Sequence, residues 1–348
     1  MIQYIVRRLL ILPFIMLLVT FILYLLLHQL PPEQRAEIYL PTLKPNTTLE
    51  ERAEIIEDII ERYGFDEPFL LQYITWLRNL LAGEWGYAPS WGQPVLRGLL
   101  RRAPASAELA LAATIPAIAL ALTIGSLAAR RYGRFPDHVV RTVAFVGWAF
   151  PSFILGLILI NVLYAWRGWF PPNRLSMWAE HFVAGESFRV YTGMYTVDAL
   201  LNGDLKLFAD AVRHLVLPAF TLAVAQWALL TRIMRSSLLD VLGEDYITTA
   251  RAKGVREQTV INLHARRNAI LPLISTGGVT VSLLISGIVV VETIFNFAGL
   301  GYAATEAILA VDIPAVVGFT LFVSLVTVLS SLVADIACAF VDPRARTY

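Results

Sequence analysis

The chain has 348 residues, of which 57% are hydrophobic and 16% charged, and its mean hydropathy is +0.63. A soluble domain carries about 25% charged residues to cover its water-facing surface, so this composition excludes an ordinary soluble protein. The formal net charge of +1 provides no basic field for nucleic acid, and we expect no nucleic-acid partner.

The residue types that carry chemistry are too few or too scattered for a catalytic or metal site. Cys338 is the only cysteine, and the five histidines show no i, i+4 pairing, so we expect no metal site. The three lysines, Lys44, Lys206 and Lys253, do not occur in the G-x-x-x-x-G-K-[ST] pattern of a P-loop. We therefore expect no catalytic residues, no cofactor in this chain and no ATP hydrolysis by it.

Six charge-free apolar runs predict an all-α polytopic membrane protein with six transmembrane helices, because a bilayer core of roughly 30 Å takes about 20 helical residues. The first run has no A-x-A site after it, so we interpret it as a retained anchor rather than a secretory signal. The fourth run is short, and we expect flanking residues to lengthen it. The runs are Leu9–Leu27, Leu109–Ala129, Thr142–Trp166, Leu215–Thr231, Ala269–Val291 and Ile313–Ala334.

Basic residues in the short loops predict the orientation. Six spans place both termini on one side, and that side carries more than half of the 28 basic residues, so we expect both termini to be cytoplasmic. The basic residues on that side are Arg7, Arg8, Arg130, Arg131, Arg134, Arg141, Arg232, Arg235, Arg251, Lys253, Arg256, Arg266, Arg267, Arg344 and Arg346.

This orientation divides the chain into three regions. We predict an N-terminal transmembrane helix over residues 1–30 and an extracytoplasmic cap over 31–105. A core of five transmembrane helices follows over 106–348 and includes a cytoplasmic segment, 236–272. In the cap, Thr48-Leu-Glu-Glu51 is a capping-box pattern that predicts the start of a helix, and Gly64 predicts its end.

The cytoplasmic segment contains a short helix-forming stretch that is broken at Gly243 and stopped at Gly254. Tyr246, Ile247 and Ala250 form a narrow apolar stripe along it. A helix this short cannot cross a membrane. Two interpretations remain open from the residues alone: a basic helix that lies on anionic lipid, or a helix that docks in a groove of a protein partner.

Short motifs occur along nearly the whole chain. They are Tyr246-Ile-Thr-Thr-Ala-Arg-Ala-Lys-Gly254, Val255-Arg-Glu-Gln-Thr-Val260, His264-Ala-Arg-Arg-Asn268-Ala-Ile-Leu-Pro272, Arg78–Trp85 with Gly86-Tyr87, Pro151-Ser-Phe-Ile-Leu-Gly156, Arg213-His-Leu-Val-Leu-Pro218, Val291-Glu-Thr-Ile-Phe295, Gly299-Leu-Gly301 and Val341-Asp-Pro-Arg344. In this order they resemble the permeases of bacterial and archaeal ABC importers, specifically the first-permease ("B"-type) subunit of the dipeptide/oligopeptide/nickel transporter family. The cytoplasmic motif has Thr248-Thr249-Ala250 where the general importer motif has Glu-Ala-Ala. That departure and the long interval from Gly254 to Pro272 are typical of the peptide branch, whereas Ala298 replaces a frequent proline.

The resemblance implies the type I importer fold of an ABC transmembrane domain, with an extracytoplasmic insertion after the first helix. It implies a plasma-membrane permease that moves di- or oligopeptides by alternating access. The expected partners are a second, paralogous permease, two cytoplasmic ATPases that bind ATP and Mg, an extracytoplasmic substrate-binding protein and the lipid bilayer. The coupling helix that docks on an ATPase would include Glu244, Asp245, Tyr246, Ile247, Ala250, Arg251, Lys253 and Gly254.

Two alternatives remain. Nickel chelates, glutathione or oligosaccharides are other cargoes of the same family. A secondary transporter driven by an ion gradient is a different class, which predicts acidic residues in mid-span and inverted halves. The charge-free middles of the six predicted spans disfavour it.

Ionisable residues near the membrane are costly, at roughly 2.5–3.5 kcal/mol at a helix centre on insertion scales, so each needs a reason. Glu292 lies at the outer end of the predicted fifth span. We hypothesise that it lines an outer gate and meets the amine of a peptide; the alternative is that it simply reaches the interface. The predicted translocation path comprises Glu292, Thr293, Asn296, Pro151 and Ser152.

Overall fold

The computed structural model describes residues 2–40 and 48–341, and most of them are helical. Contacts divide the chain into two units. We call residues 2–104 and 299–328 the N-terminal unit, and residues 105–298 and 329–341 the core unit. Each is described by itself.

The N-terminal unit consists of helices and one small hairpin. Its strands are antiparallel and pair Tyr87 with Pro94 and Ala88 with Gln93. Two helices, α5 (Val95–Arg130) and α17 (Ile313–Val341), begin in this unit, and their later residues belong to the core unit. Its elements are α1 (Ile2–Leu27), α2 (Pro32–Glu37), α3 (Leu49–Tyr63), α4 (Phe69–Leu81), β1 (Tyr87–Ala88), a 3₁₀ turn (Pro89–Trp91), β2 (Gln93–Pro94), α5 (Val95–Arg130), α16 (Leu300–Leu309) and α17 (Ile313–Val341).

The capping box predicted for the extracytoplasmic cap is confirmed. The Thr48 hydroxyl accepts a hydrogen bond from the Glu51 amide, and the Glu51 carboxylate accepts one from the Thr48 amide, so two free donors of the helix start are satisfied. At the other end Gly64 adopts φ 65°, the left-handed conformation that ends a helix and that glycine adopts without steric cost.

Aromatic side chains join α1 to α4. Tyr24, Tyr73 and Trp76 are each at most 8% exposed and form one cluster. The buried Arg35 donates a hydrogen bond of 2.6 Å to the Gln72 side chain, which also accepts one from the Tyr24 hydroxyl. The charge is therefore hydrogen-bonded in the interior of the unit, as a buried cation must be.

The core unit is built around one long helix, α10 (Leu205–Leu242), against which several other helices of the unit pack. Its elements, after the end of α5, are α6 (Phe135–Ala149), α7 (Ser152–Leu159), a π-helical turn (Ile160–Ala165), α8 (Met177–Ala184), α9 (Tyr195–Leu201), α10 (Leu205–Leu242), α11 (Asp245–Ala252), α12 (Glu257–Thr259), a second π-helical turn (Val260–Ala265), α13 (Arg266–Ala269), α14 (Leu271–Ser275), α15 (Gly277–Ile294) and the end of α17.

Four helices of the described chain are long and apolar enough to cross a membrane, and a fifth span results if the bent pair α6–α7 is counted as one. The protein is thus a mostly helical chain with several membrane-crossing helices. The fifth predicted run lies on α14 and α15, and the side chains of 277–279, 281–283 and 286 within it fall outside the description, so the six-span count remains a prediction. The four helices are Leu9–Leu27, Val95–Arg130, Leu205–Leu242 and Ile313–Ala337.

The predicted third run, Thr142–Trp166, proves to be two helices that meet at an angle of 98°. Phe150, which precedes Pro151, has an extended backbone (φ −84°, ψ 119°). A residue before proline is driven out of the helical region by the proline ring, so the bend has a local cause.

The predicted fourth run, Leu215–Thr231, is only the middle of α10, which has 38 residues. Charged side chains interrupt the apolar run on both sides but are compatible with helix. The Asp204 side chain caps the helix start by accepting a hydrogen bond from the Leu207 amide at 2.9 Å.

Candidate docking helix and translocation path

The predicted break at Gly243 and stop at Gly254 are both confirmed. Helix α10 ends at Leu242 with Gly243 as its cap, and α11 begins at Asp245 after Glu244. Gly254, two residues after the end of α11, has φ 75°, and the chain turns there. With eight residues α11 is far shorter than the roughly 20 residues needed to cross a bilayer.

One side of α11 packs on the core unit. Ile247 is completely buried in an apolar cluster with Leu238 and Val260, and the half-buried Ala250 packs against the same cluster. Two of the three residues of the apolar stripe recognised in the sequence, Ile247 and Ala250, therefore face the protein itself, whereas Tyr246 is exposed. Ile247 positions the helix and has no surface for a partner.

The other side of α11 is exposed. Of the eight residues predicted for the docking helix, six are exposed on or beside α11: Glu244, Asp245, Tyr246, Arg251, Lys253 and Gly254. This surface carries two acidic and two basic side chains and one aromatic ring, a composition suited to a protein partner and too balanced for simple attraction to anionic lipid.

Two side-chain contacts hold α11 to the segment that follows it. The Asn268 side-chain amide donates a hydrogen bond of 2.7 Å to the Tyr246 hydroxyl. The Arg251 guanidinium donates two bonds, of 2.8 and 3.1 Å, to the Glu257 carboxylate. These bonds hold the pKa of Glu257 below its ordinary value and raise the pKa of Arg251.

A buried ion pair joins α6 to α10 near the end of α10 that leads to α11. The Arg235 guanidinium donates two hydrogen bonds, of 2.5 and 2.7 Å, to Asp137, whose side chain is 1% exposed. The Gly133 amide donates a third bond to the same carboxylate at 3.0 Å. Arg130, at the end of α5, donates a hydrogen bond to Asn262 in the π-helical turn that packs on α11.

Sequence reasoning missed the functional potential of Asp137, Arg235 and Asn262. The available signal was Asp137 itself, a single acid among four arginines in residues 130–141. Its partner lies 98 positions away, so the pairing itself has no sequence signature.

Glu292, the residue predicted for the outer gate, is completely buried in the core unit. The Ser106 hydroxyl of α5 donates a hydrogen bond of 2.5 Å to its carboxylate, so this contact joins α5 to α15. The carboxylate is thus enclosed by protein in this conformation, and its position relative to the membrane interface stays a prediction.

The other predicted path residues fall into two groups. Thr293 is exposed and donates a hydrogen bond to the Val289 carbonyl, and the exposed Asn296 has φ 50° and donates a hydrogen bond to Asn173. Pro151 and Ser152 lie at the bend between α6 and α7. One turn along α7, a Cβ at Gly156 would lie 3.3 Å from the Phe295 ring, so α7 and α15 approach closely near Glu292.

A second polar cluster ties α5 to the segment between α7 and α10. Arg174 forms an ion pair of 2.9 Å with Glu108, which is 6% exposed. The amide and hydroxyl of Thr196 donate to the same carboxylate at 2.7 and 2.6 Å, and the Arg174 guanidinium lies 4.0 Å from the centre of the Tyr195 ring. No role was assigned to Glu108 from the sequence.

The fold defines a helical protein with several helices long and apolar enough to cross a membrane and a short helix, α11, with one exposed side. Residues 121–347 match the family model described as "Binding-protein-dependent transport system inner membrane component", and residues 1–98 match the model of the N-terminal part of such membrane components. The chain belongs to this family of inner-membrane permease components of ABC transport systems. It is therefore a multi-pass protein of the plasma membrane.

Relatives match the chain over most of its length. It is 39% identical over 289 residues to the oligopeptide transport system permease protein AppB of Bacillus subtilis, covering 83% of this chain and 84% of the relative. It is 37% identical over 291 residues to the probable D,D-dipeptide transport system permease protein DdpB of Escherichia coli, with coverage of 83% and 84%. The dipeptide transport system permease protein DppB of Escherichia coli is 33% identical over 348 residues, with coverage of 99% of each chain.

Proposed function

We propose that this chain is the permease subunit of an ABC importer that moves di- and oligopeptides across the plasma membrane. The observation that carries the proposal is the similarity to permeases of peptide transport systems at 33–39% identity over most of the chain. The exposed helix α11 supports it, because a permease without its own ATPase needs a surface that receives force from one.

The partners we propose are a second, paralogous permease, two cytoplasmic ATPases that hold ATP and Mg, and an extracytoplasmic substrate-binding protein. In this proposal the chain crosses the membrane six times, both termini face the cytoplasm, and residues 31–105 lie outside. In this proposal the ATPases close first, and the substrate is then released into the passage. Closure of the ATPases shifts the equilibrium between two conformations of the permease, so this chain itself carries out no chemical reaction.

We assign the ATPase contact to the exposed face of α11. On the opposite face, Ile247 and Ala250 hold α11 to the core unit. A push on α11 is transmitted to α10 through the shared apolar cluster and to α5 and α6 through Arg130 and the Asp137–Arg235 pair. These contacts make the end of the core unit move as a body rather than letting α11 bend alone.

Charge reversal tests the docking surface. We expect Asp245→Lys and Lys253→Glu each to reduce retention of the ATPases by about tenfold in pull-down, because both remove complementary charge from the contact. The matched control is Glu186→Lys, a reversal at an exposed residue of the segment between α8 and α9. Full retention with both α11 variants would contradict the docking assignment.

For the gate, we propose that the Ser106–Glu292 hydrogen bond exists in the conformation described here and breaks when the passage opens. The carboxylate then meets the amine of the entering peptide. The geometry that supports this is the complete burial of a carboxylate at the junction of α5 and α15, since such a group is costly to retain without a role.

The test of the gate is transport by Glu292→Gln, which keeps a hydrogen-bond acceptor and removes the charge. We expect uptake of peptides with a free amine to fall at least tenfold, while N-acetylated peptides are unaffected relative to wild type. Ser106→Ala is the control for the loss of the hydrogen bond alone. Equal loss for both kinds of peptide, or no loss, would contradict the amine contact.

A further inference from the structure

A cationic cavity of about 680 Å³ lies between α6 and the second half of α10. Its lining includes three arginines and one histidine. Arg235 is neutralised by Asp137, but within the described chain neither Arg141 nor Arg232 lies within 4.0 Å of a carboxylate oxygen. Asp137 interacts electrostatically with Arg141 as well as with Arg235, but a single carboxylate cannot neutralise three arginines, so the lining keeps a net positive charge.

Aromatic and hydroxyl groups complete this lining. The Arg232 guanidinium lies 5.7 Å from the centre of the Trp148 ring, which orients it in the cavity. Thr231 is 1% exposed, and its hydroxyl has no hydrogen-bond partner among the described residues. Thr221 on the same helix donates to the Leu217 carbonyl instead, which is how a helical threonine ordinarily satisfies its hydroxyl.

A second, apolar cavity of about 1000 Å³ adjoins the first. Thr142 lines both cavities, and α6 and α10 contribute to both. Its other walls come from α5 and α7, and its lining is almost entirely aliphatic and aromatic, for example Ile124, Val146 and Phe220. A cationic compartment and an apolar compartment thus lie side by side on the same pair of membrane helices.

We propose that these two compartments together bind one anionic phospholipid. Arg141, Arg232 and the Thr231 hydroxyl bind the phosphate, and the acyl chains occupy the apolar cavity. Arginine suits this role because its planar guanidinium matches phosphate oxygens, and basic pockets between membrane helices are established sites for lipid headgroups. A free phosphate has no apolar part to place in the apolar cavity, whereas a phospholipid occupies both the cationic and the apolar cavity.

The lipid site is separate from the exposed face of α11 and does not depend on the peptide cargo. It requires only that the chain resides in a membrane. Its failure and the failure of the proposed transport function are therefore distinguishable, because lipid retention and peptide uptake are measured independently.

The experiment is native mass spectrometry of the full-length protein, purified in mild detergent and exchanged with phosphatidylglycerol or with phosphatidylcholine of the same acyl chains. We expect one retained phosphatidylglycerol and little phosphatidylcholine. In Arg141→Gln/Arg232→Gln, retention of phosphatidylglycerol should weaken roughly 25-fold, since each basic residue near anionic lipid contributes about fivefold. The matched control, Arg131→Gln/Arg134→Gln, removes two exposed arginines outside the cavity and should retain the lipid.

Two further arms separate the lipid from other occupants. Inorganic phosphate and glycerol phosphate are added as competitors, and displacement of the phospholipid by either at equimolar concentration would identify a free-anion site and overturn the proposal. Cysteines at Thr142 and Val146 are tested for cross-links to the second permease in the assembled transporter. A cross-link there would show that protein fills the apolar cavity, and equal retention in the double arginine variant would likewise overturn the proposal.

Discussion

Asp137 and Arg235 illustrate how much a single side-chain pair contributes at the end of α10 that leads to α11. The carboxylate is almost completely enclosed and accepts hydrogen bonds from both the guanidinium and the Gly133 amide. The exposed Arg251–Glu257 pair has similar distances but lies in solvent. Since solvent screens the second pair, the two should differ strongly in energy although their geometry is alike.

Replacing Arg235 with glutamine should destabilise the protein by about 3 kcal/mol, because Asp137 is then left charged and buried without its partner. The measurement is thermal unfolding of the purified protein in detergent. Arg251→Gln is the control and should cost at most about 1 kcal/mol. Comparable losses for the two variants would show that burial does not decide the difference.

The Arg251–Glu257 pair predicts a pH dependence. The pKa of Glu257 is lowered below its ordinary value of 4.5, so the stabilisation is present above that value and disappears as the pH falls through the depressed pKa. The pKa of Arg251 is raised, so its contribution persists through the alkaline range. Between pH 6 and 8 the contribution of this ion pair to stability should therefore not change.

Amide hydrogen exchange measures how the stability of the turn after α11 depends on pH. Amides of 251–257, corrected for intrinsic rates, should exchange equally at pH 6 and 8 and faster once the pH falls well below 4.5. In Glu257→Gln the corrected rates should be independent of pH over the whole range. Acceleration of the wild type between pH 8 and 6 would mean that another group controls the turn after α11.

At the scale of elements, α5 and α10 approach each other unusually closely at Gly125. A Cβ at this position would lie 2.9 Å from both the Met234 Cβ and the Thr231 carbonyl oxygen. Real Cβ atoms do not sit so near backbone oxygen, so the small residue is what permits this packing.

Gly125→Ala should therefore force the two helices apart and destabilise the protein by about 1–3 kcal/mol, despite alanine's better helix propensity. Thermal unfolding and ATPase retention are the measurements. Gly243→Ala is the control, because a Cβ there meets only the Asp240 carbonyl at 3.4 Å. An unchanged or stabilised Gly125→Ala would contradict the close approach.

Elements differ in how far the sequence predicts them. The start of α3, the end of α10 and the turn at Gly254 were predictable because each depends on residues within four positions of one another. The bend at Pro151 has a local cause too, but an unbroken apolar run concealed it. The length of α10 was missed because a charge-free run ends at the first charged residue, whereas the helix continues through charged residues on both sides.

For the candidate docking helix, the sequence predicted the position of α11 along the chain but not which of its sides faces the core unit. The motif located α11, whereas the inward direction of Ile247 depends on Leu238 and Val260, which the periodicity of an eight-residue helix does not reveal. The contacts of Glu292 with Ser106 and of Asp137 with Arg235 join residues 186 and 98 positions apart. Such pairs follow from tertiary packing and leave no local pattern.

At the scale of the whole molecule, the proposed topology makes one decisive prediction. The native cysteine is first removed by Cys338→Ser, and single cysteines are placed at two exposed residues, Lys253 and Glu186. In intact cells a membrane-impermeant maleimide should label Glu186→Cys. It should label Lys253→Cys only after the membrane is permeabilised, because α11 is proposed to be cytoplasmic.

Labelling of Lys253→Cys in intact cells would place α11 outside and remove the basis for its contact with an ATPase. Uptake by each variant is the control for assembly. In the predicted arrangement the outer face of the protein contacts the substrate-binding protein, and the cytoplasmic face contacts the ATPases.

The uninterrupted length of α10 has a consequence for which sequence changes the protein can tolerate. A helix of 38 residues is about 57 Å long, almost twice the roughly 30 Å of a bilayer's hydrocarbon core. Deleting one residue anywhere inside it rotates everything beyond by about 100°, which would turn α11 away from its seat. We therefore expect related chains to differ here by substitution and to keep the number of residues between Asp204 and Gly243 constant.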